Sequence, residues 1–154
     1  MARKIDKLLS EYGESHQNPT NKLVHWICVP VIFWTIVALL WSLPVPAALG
    51  SVPLLNWATV VLGLAMIYYL AIAPRLAVGV ILFWLFCVWL ITLYNLPWPL
   101  WQFAVALFVV AWIGQFWGHK VEGKKPSFLK DVQFLLIGPA WLISFIYKRL
   151  GLLY

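Results

Sequence analysis

Long apolar runs, broken by short joints that carry proline or polar residues, dominate this chain. Four runs, over 19–42, 54–73, 76–94 and 99–118, approach or reach the roughly 20 apolar residues that a helix needs to cross a bilayer core about 30 Å thick. The joints 43–53, Pro74-Arg75 and Asn95-Leu-Pro97 supply the breakers that end helices. Asn18-Pro19 reads as an N-cap followed by proline at the first helical position, which starts the first span at 19. Ahead of it, Ile5, Leu8, Leu9 and Tyr12 recur at helical spacing among charged residues, predicting an amphipathic helix over 3–16 that lies on the membrane surface. A fifth apolar stretch, 132–147, is about 16 residues long and holds Gly138-Pro139 in its middle, so it is short, kinked or re-entrant. The pattern predicts an all-α polytopic membrane bundle occupying 1–154 as one domain. It comprises four transmembrane helices, an N-terminal amphipathic helix and a short C-terminal fifth hydrophobic segment.

Composition agrees. The chain is 64% hydrophobic and 10% charged, against roughly 45–50% and about 25% in soluble domains, so polar side chains cannot cover a globule. Eleven Trp and six Tyr suit membrane interfaces, where a ring buries its body and wets its polar edge. Trp41, Trp57, Tyr94, Trp98 and Trp101 mark one interface, and Trp26, Tyr68, Tyr69 and Trp117 the other.

The net charge of +6 sits in short clusters between apolar runs, not in the aromatic-interleaved stripe of a nucleic-acid binder. It is a topology signal. Arg3, Lys4, Lys7 and Lys22 precede the first span, Arg75 joins the second and third, and Lys120, Lys124, Lys125 and Lys130 follow the fourth. The positive-inside rule then places the N-terminus and the loop after the fourth span in the cytoplasm, and Lys148-Arg149 draws the C-terminus there too. The first twenty residues have no apolar core of a secretory signal. The expected location is the inner membrane of a bacterium or the endoplasmic reticulum of a eukaryote. Cys28 and Cys87 lie deep in apolar runs without metal or redox spacing and read as packing residues.

The polar residues at the cytoplasmic ends fall into two clusters, His16-Gln-Asn18-Pro-Thr-Asn21-Lys-Leu-Val-His25 and Gln115-Phe-Trp-Gly118-His119-Lys-Val-Glu122, which hold every histidine in the chain. Gln115, His119 and Glu122 are spaced i, i+4, i+7 on one helical face, and Asn21 and His25, like Tyr12 and His16, are four apart. Pro19 frees His16 and His25 from the divergence that nine helical residues would impose. Imidazole and carboxylate are ligands for divalent iron, manganese or zinc, and helix-borne ligands at this spacing are how bundles build such sites. The amides of Asn21 and Gln115 suit support of those ligands. An interfacial histidine is usually only an anchor, but three on one face beside Glu122 make a metal or proton-transfer site as expected as not. His25 weighs most, because ionisable groups within a span are costly.

No GxSxG elbow, phosphate-binding glycine loop or HExxH occurs. A proton-coupled transporter would need polar residues across the spans, which hold almost none that ionise. Lys120 and Lys124 fit an anionic head group as well as they fit topology.

The two clusters resemble the Mpo1-like family of small membrane proteins, named after a yeast enzyme. The resemblance rests on His16, Asn18-Pro19, Asn21, His25 and Pro30, then on Gln115, Gly118-His119, Glu122 and Pro126. Their order and separation, with the overall length, extend it over nearly the whole chain. It implies an iron(II)-dependent dioxygenase that uses O₂ to shorten 2-hydroxy fatty acids by one carbon in α-oxidation. His16, His25 and His119 are then the expected metal ligands, with Glu122 a fourth ligand or base, and His119 and Glu122 the catalytic pair. Asn18, Asn21, Gln115 and Tyr12 are the expected supporting residues, and Lys120 and Lys124 would meet the substrate head group. The alternative is a non-catalytic metal-binding membrane module or scaffold, which would retain metal and consume no O₂. Four spans with so much aromatic surface are also compatible with a homodimer.

Overall fold

A computed structural model describes residues 3–47, 52, 54–123 and 128–153, with side chains left out over 128–134. Among the described residues six helices carry the fold: α1 Lys4–Glu14, α2 Pro19–Trp41, α3 Trp57–Ile72, α4 Pro74–Thr92, α5 Leu100–Glu122 and α6 Phe128–Arg149. Among them α2, α4 and α5 have the length and apolar composition to cross a membrane.

The expected second span, 54–73, is shorter. Asn56 accepts a hydrogen bond from Thr59 N, and Thr59 Oγ1 accepts one from Asn56 N, so a reciprocal cap starts α3 at Trp57. Sixteen residues remain, about 24 Å of helix. The third span begins at Pro74 instead of 76, because a proline at the first helical position gives up only an N–H that would have had no partner. The fourth runs beyond 118 to Glu122 and is closed by Gly123 in the left-handed region at φ 74°. Asn18 caps α2 as its sequence promises, its side chain accepting from Thr20 N at 2.9 Å.

Helices α2 and α5 form the central antiparallel pair. Small residues allow their close approach: a Cβ at Gly114 would lie 2.8 Å from Cys28 Sγ, and one at Gly118 would lie 2.5 Å from Asn21 Oδ1. These two glycines form a GxxxG pair on one face of α5, the arrangement by which membrane helices bring their backbones together. Helix α3 packs back on α4, and α6 lies against α1, α2 and α4.

Segment 132–147 lies within α6, a helix of 22 residues that continues through Gly138-Pro139. The glycine makes room there, since a Cβ at 138 would come 3.2 Å from Val29 Cγ1 and 3.3 Å from the Tyr12 hydroxyl.

One core joins Ile5, Leu9 and Tyr12 of α1 to Ile137, Ala140 and Trp141 of α6 and to Tyr69, Leu76 and Val80. The apolar stripe of α1 therefore packs on protein, where a surface-lying helix had been expected. On its outer face Arg3 grips Asp6 with two 2.9 Å hydrogen bonds, and this holds the Asp6 carboxyl below its ordinary range. Tyr69 is also not an interface anchor: it is buried, and its hydroxyl donates to the Leu136 carbonyl of α6. A second core, Val37, Ala38, Ala58, Ile91 and Ala104, closes the opposite end.

Candidate metal centre

His16 follows the end of α1, His25 sits in the second turn of α2, and His119 lies in the last turn of α5. All three are buried, and one ligand nitrogen from each lies within 4.8 Å of the others. Ring centroids are 4.0 Å apart for His16 and His25, 5.2 Å for His25 and His119, and 5.6 Å for His16 and His119. Among the described residues, these histidines are the group of potential ligands arranged to hold a metal ion.

The backbone sets the chemistry of two of these rings. His16 Nδ1 lies 2.5 Å from the Tyr12 carbonyl, and His25 Nδ1 lies 2.9 Å from the Asn21 carbonyl. A carbonyl oxygen can only accept, so each Nδ1 carries the proton and the lone pair falls on Nε2. Ligating imidazoles are commonly fixed in this way, the second nitrogen donating to a carbonyl so that one tautomer and one ring orientation persist. Tyr12 adds a stacked face to His16, 4.2 Å away at 14°, and Trp141 covers both rings from α6. The histidines open on a cavity of about 40 Å³ lined also by Val29, Phe33, Trp112 and Gln115.

Glu122, anticipated as a ligand or base, is occupied elsewhere. Its Oε1 accepts from Gln17 N at 2.9 Å, and its Oε2 accepts from Asn18 N at 2.9 Å and Asn21 Nδ2 at 3.0 Å. The carboxylate thus clamps the loop between α1 and α2, and so sets where His16 and His25 stand. Asn21 extends the clamp by donating to the Ser15 carbonyl at 3.1 Å. Asn18 works as helix cap and clamp partner. Gln115 lines the cavity, its buried Oε1 without a hydrogen-bond partner among the described residues. Lys120 is exposed and outside the cavity lining, and Lys124 lies outside the described residues. Trp112 is a lining residue that sequence reasoning missed; its place one turn before Gln115 and two before His119 is the signal that would have found it.

The donor set fits a divalent transition metal, since three imidazoles, those of His16 and His25 with one tautomer fixed by a backbone carbonyl, are ligands such ions take. The fold and site together define a membrane-compatible helical protein with a buried three-histidine centre. A family profile described as Mpo1-like, 2-hydroxy-palmitic acid dioxygenase Mpo1-like, matches residues 2–150, and the chain belongs to that family. No curated protein and no solved structure matches it significantly.

Proposed function

We propose that the protein is an iron(II)-dependent membrane dioxygenase that shortens 2-hydroxy fatty acids by one carbon with O₂. The observation that carries this reading is the convergence of His16, His25 and His119 within 4.8 Å, in a chain whose family is described by 2-hydroxy-palmitic acid oxidation. Iron(II), were it held by His16, His25 and His119, would supply the redox chemistry that O₂ requires.

The chain's own residues do the rest. Tyr12 and Asn21 carbonyls hold two of the rings, the Glu122 clamp holds the loop between α1 and α2, and Trp141 packs over the His16 ring. The histidine cavity, about 40 Å³, has room for a head group and none for a long chain. An apolar groove of about 450 Å³ between α2, α4 and α5, lined by Trp34, Phe83, Phe86, Cys87 and Leu107, offers a place for the tail. Phe33 on the cavity side packs against Phe83 on the groove side, with centroids 5.0 Å apart, so this ring pair stands between the two spaces. With the basic clusters in the cytoplasm, the histidines face that side and the tail stays among the spans.

The test is metal analysis of protein purified anaerobically in mild detergent, followed by O₂ uptake with 2-hydroxyhexadecanoate. About one iron per chain, lost in His25→Ala and His119→Ala, with substrate-dependent uptake is the expected result. Metal without uptake would instead mark a metal-binding module, and absence of metal from every preparation would remove the site.

A further inference from the structure

Apart from the histidine nitrogens, two buried side-chain atoms of cavity-lining residues lack a hydrogen-bond partner among the described residues, and they are of opposite kind. Gln115 Oε1 is an acceptor, Trp112 Nε1 is a donor, and both side chains line the cavity. Positions 112, 115 and 119 fall three and four residues apart on α5, so both share the face that carries His119. Gln115 as a whole is 6% exposed. Trp34 and Trp84 also bury an indole N–H without a partner, but neither lines this cavity and neither has an unmet acceptor one turn away. Burying such groups unpaired costs stability. The cost is relieved when a ligand brings the complementary atoms.

We infer that Trp112 and Gln115 are the residues that read the substrate head group. The indole N–H donates to a carboxylate oxygen of the ligand, and the Gln115 amide oxygen accepts from its 2-hydroxyl. An ionised carboxylate only accepts, so the hydroxyl is the one group on a 2-hydroxy acid able to serve Gln115 Oε1, and the indole N–H, which only donates, is left to complement the carboxylate. Gln115 thereby sets specificity. An unsubstituted fatty acid leaves its acceptor unmet, and a site built around a substrate hydroxyl rejects analogues that lack it. This inference rests on the reading of the ligand as a 2-hydroxy acid held beside the three histidines.

The two roles separate in binding measurements under anaerobic conditions, where nothing turns over. The probes are 2-hydroxyhexadecanoate, hexadecanoate and hexadecan-1-ol, added to detergent-solubilised holoprotein. Gln115→Leu, close to isosteric and free of the orphan oxygen, is expected to bind hexadecanoate at least as well as wild type and to lose the preference for the 2-hydroxy acid, a drop of about tenfold. Trp112→Phe is expected to weaken both acids about tenfold, to keep their ratio, and to bind the alcohol as before. Metal content stays at the wild-type level in both variants.

Retention of the 2-hydroxy preference by Gln115→Leu overturns the inference, as does equal weakening of acids and alcohol in Trp112→Phe, which would make the indole a packing group. Failure of the parent reading looks different: the wild type itself would show no preference for the 2-hydroxy acid, and the inference would fall with it.

Discussion

Gly118 sits directly beneath Asn21, so close that a Cβ would lie 2.5 Å from the amide oxygen and 3.2 Å from Val24 Cγ1. Asn21 cannot retreat easily, because its amide nitrogen is tied to Ser15 and Glu122. Gly118→Ala is therefore expected to push α2 from α5, lowering stability by about 1–3 kcal/mol and reducing metal occupancy. Gly63→Ala, in an exposed stretch of α3 where a new Cβ meets nothing within 4 Å, should gain about 0.5–1 kcal/mol. Thermal unfolding in detergent, with metal analysis of each variant, tests the contrast. Equal behaviour of the two alanines would show that α2 and α5 are not closely packed at Gly118.

Glu122→Gln tells a clamp from a ligand. The carboxylate accepts three hydrogen bonds, two of them from backbone N–H groups, and an amide must turn a donor toward at least one of these. Metal affinity should fall about 10–100-fold, as for residues that orient ligands, while stoichiometric binding persists at higher metal concentration. His25→Ala should abolish it. Identical loss in the two variants would restore Glu122 to the ligand set.

Metal should stabilise the fold by mass action. At a free concentration 100 times Kd the gain is about 2.7 kcal/mol, so titration with iron(II) under anaerobic conditions should raise Tm and a chelator should return it. His16→Ala should flatten that response. A wild-type Tm indifferent to iron would argue that the three rings hold no metal.

Asn18→Ala removes the side chain that caps α2 and leaves the backbone N–H bonded to Glu122. Loss of such a cap costs about 1 kcal/mol, and Asn18→Ser should recover most of it. Metal affinity should change little in either variant. A loss of metal as large as that in Glu122→Gln would assign the Asn18 side chain a role at the site beyond capping.

Much of this was legible in the residues themselves. The Asn18-Pro19 pair located the start of α2, the i, i+4 spacing of Tyr12 with His16 became a stacked pair with a carbonyl bond, and the proline break let His16 and His25 converge to 4.0 Å. Other features depended on pairings that spacing does not encode. Gln115, His119 and Glu122 share a helical face, yet only the position of a loop 105 residues earlier gives Glu122 its backbone partners. Trp112 was hidden because an indole in an apolar helix looks like membrane packing until the cavity beside it is known. Gly138-Pro139 reads as a break, but the missing Cβ accommodates Tyr12 and Val29 while the helix continues. The count of spans depends on α3, which the Asn56 cap trims to 16 residues.

The docking of α1 on α6 brings together the first and last helices of the chain. During synthesis the segment bearing His16 must wait for α6 to emerge before its stacked face and the Trp141 cover exist. A nascent chain thus carries two histidines early and gains the third with α5, but gains the Trp141 cover only with α6. Assembly order alone would keep any metal ion from being covered before all three histidines are in place.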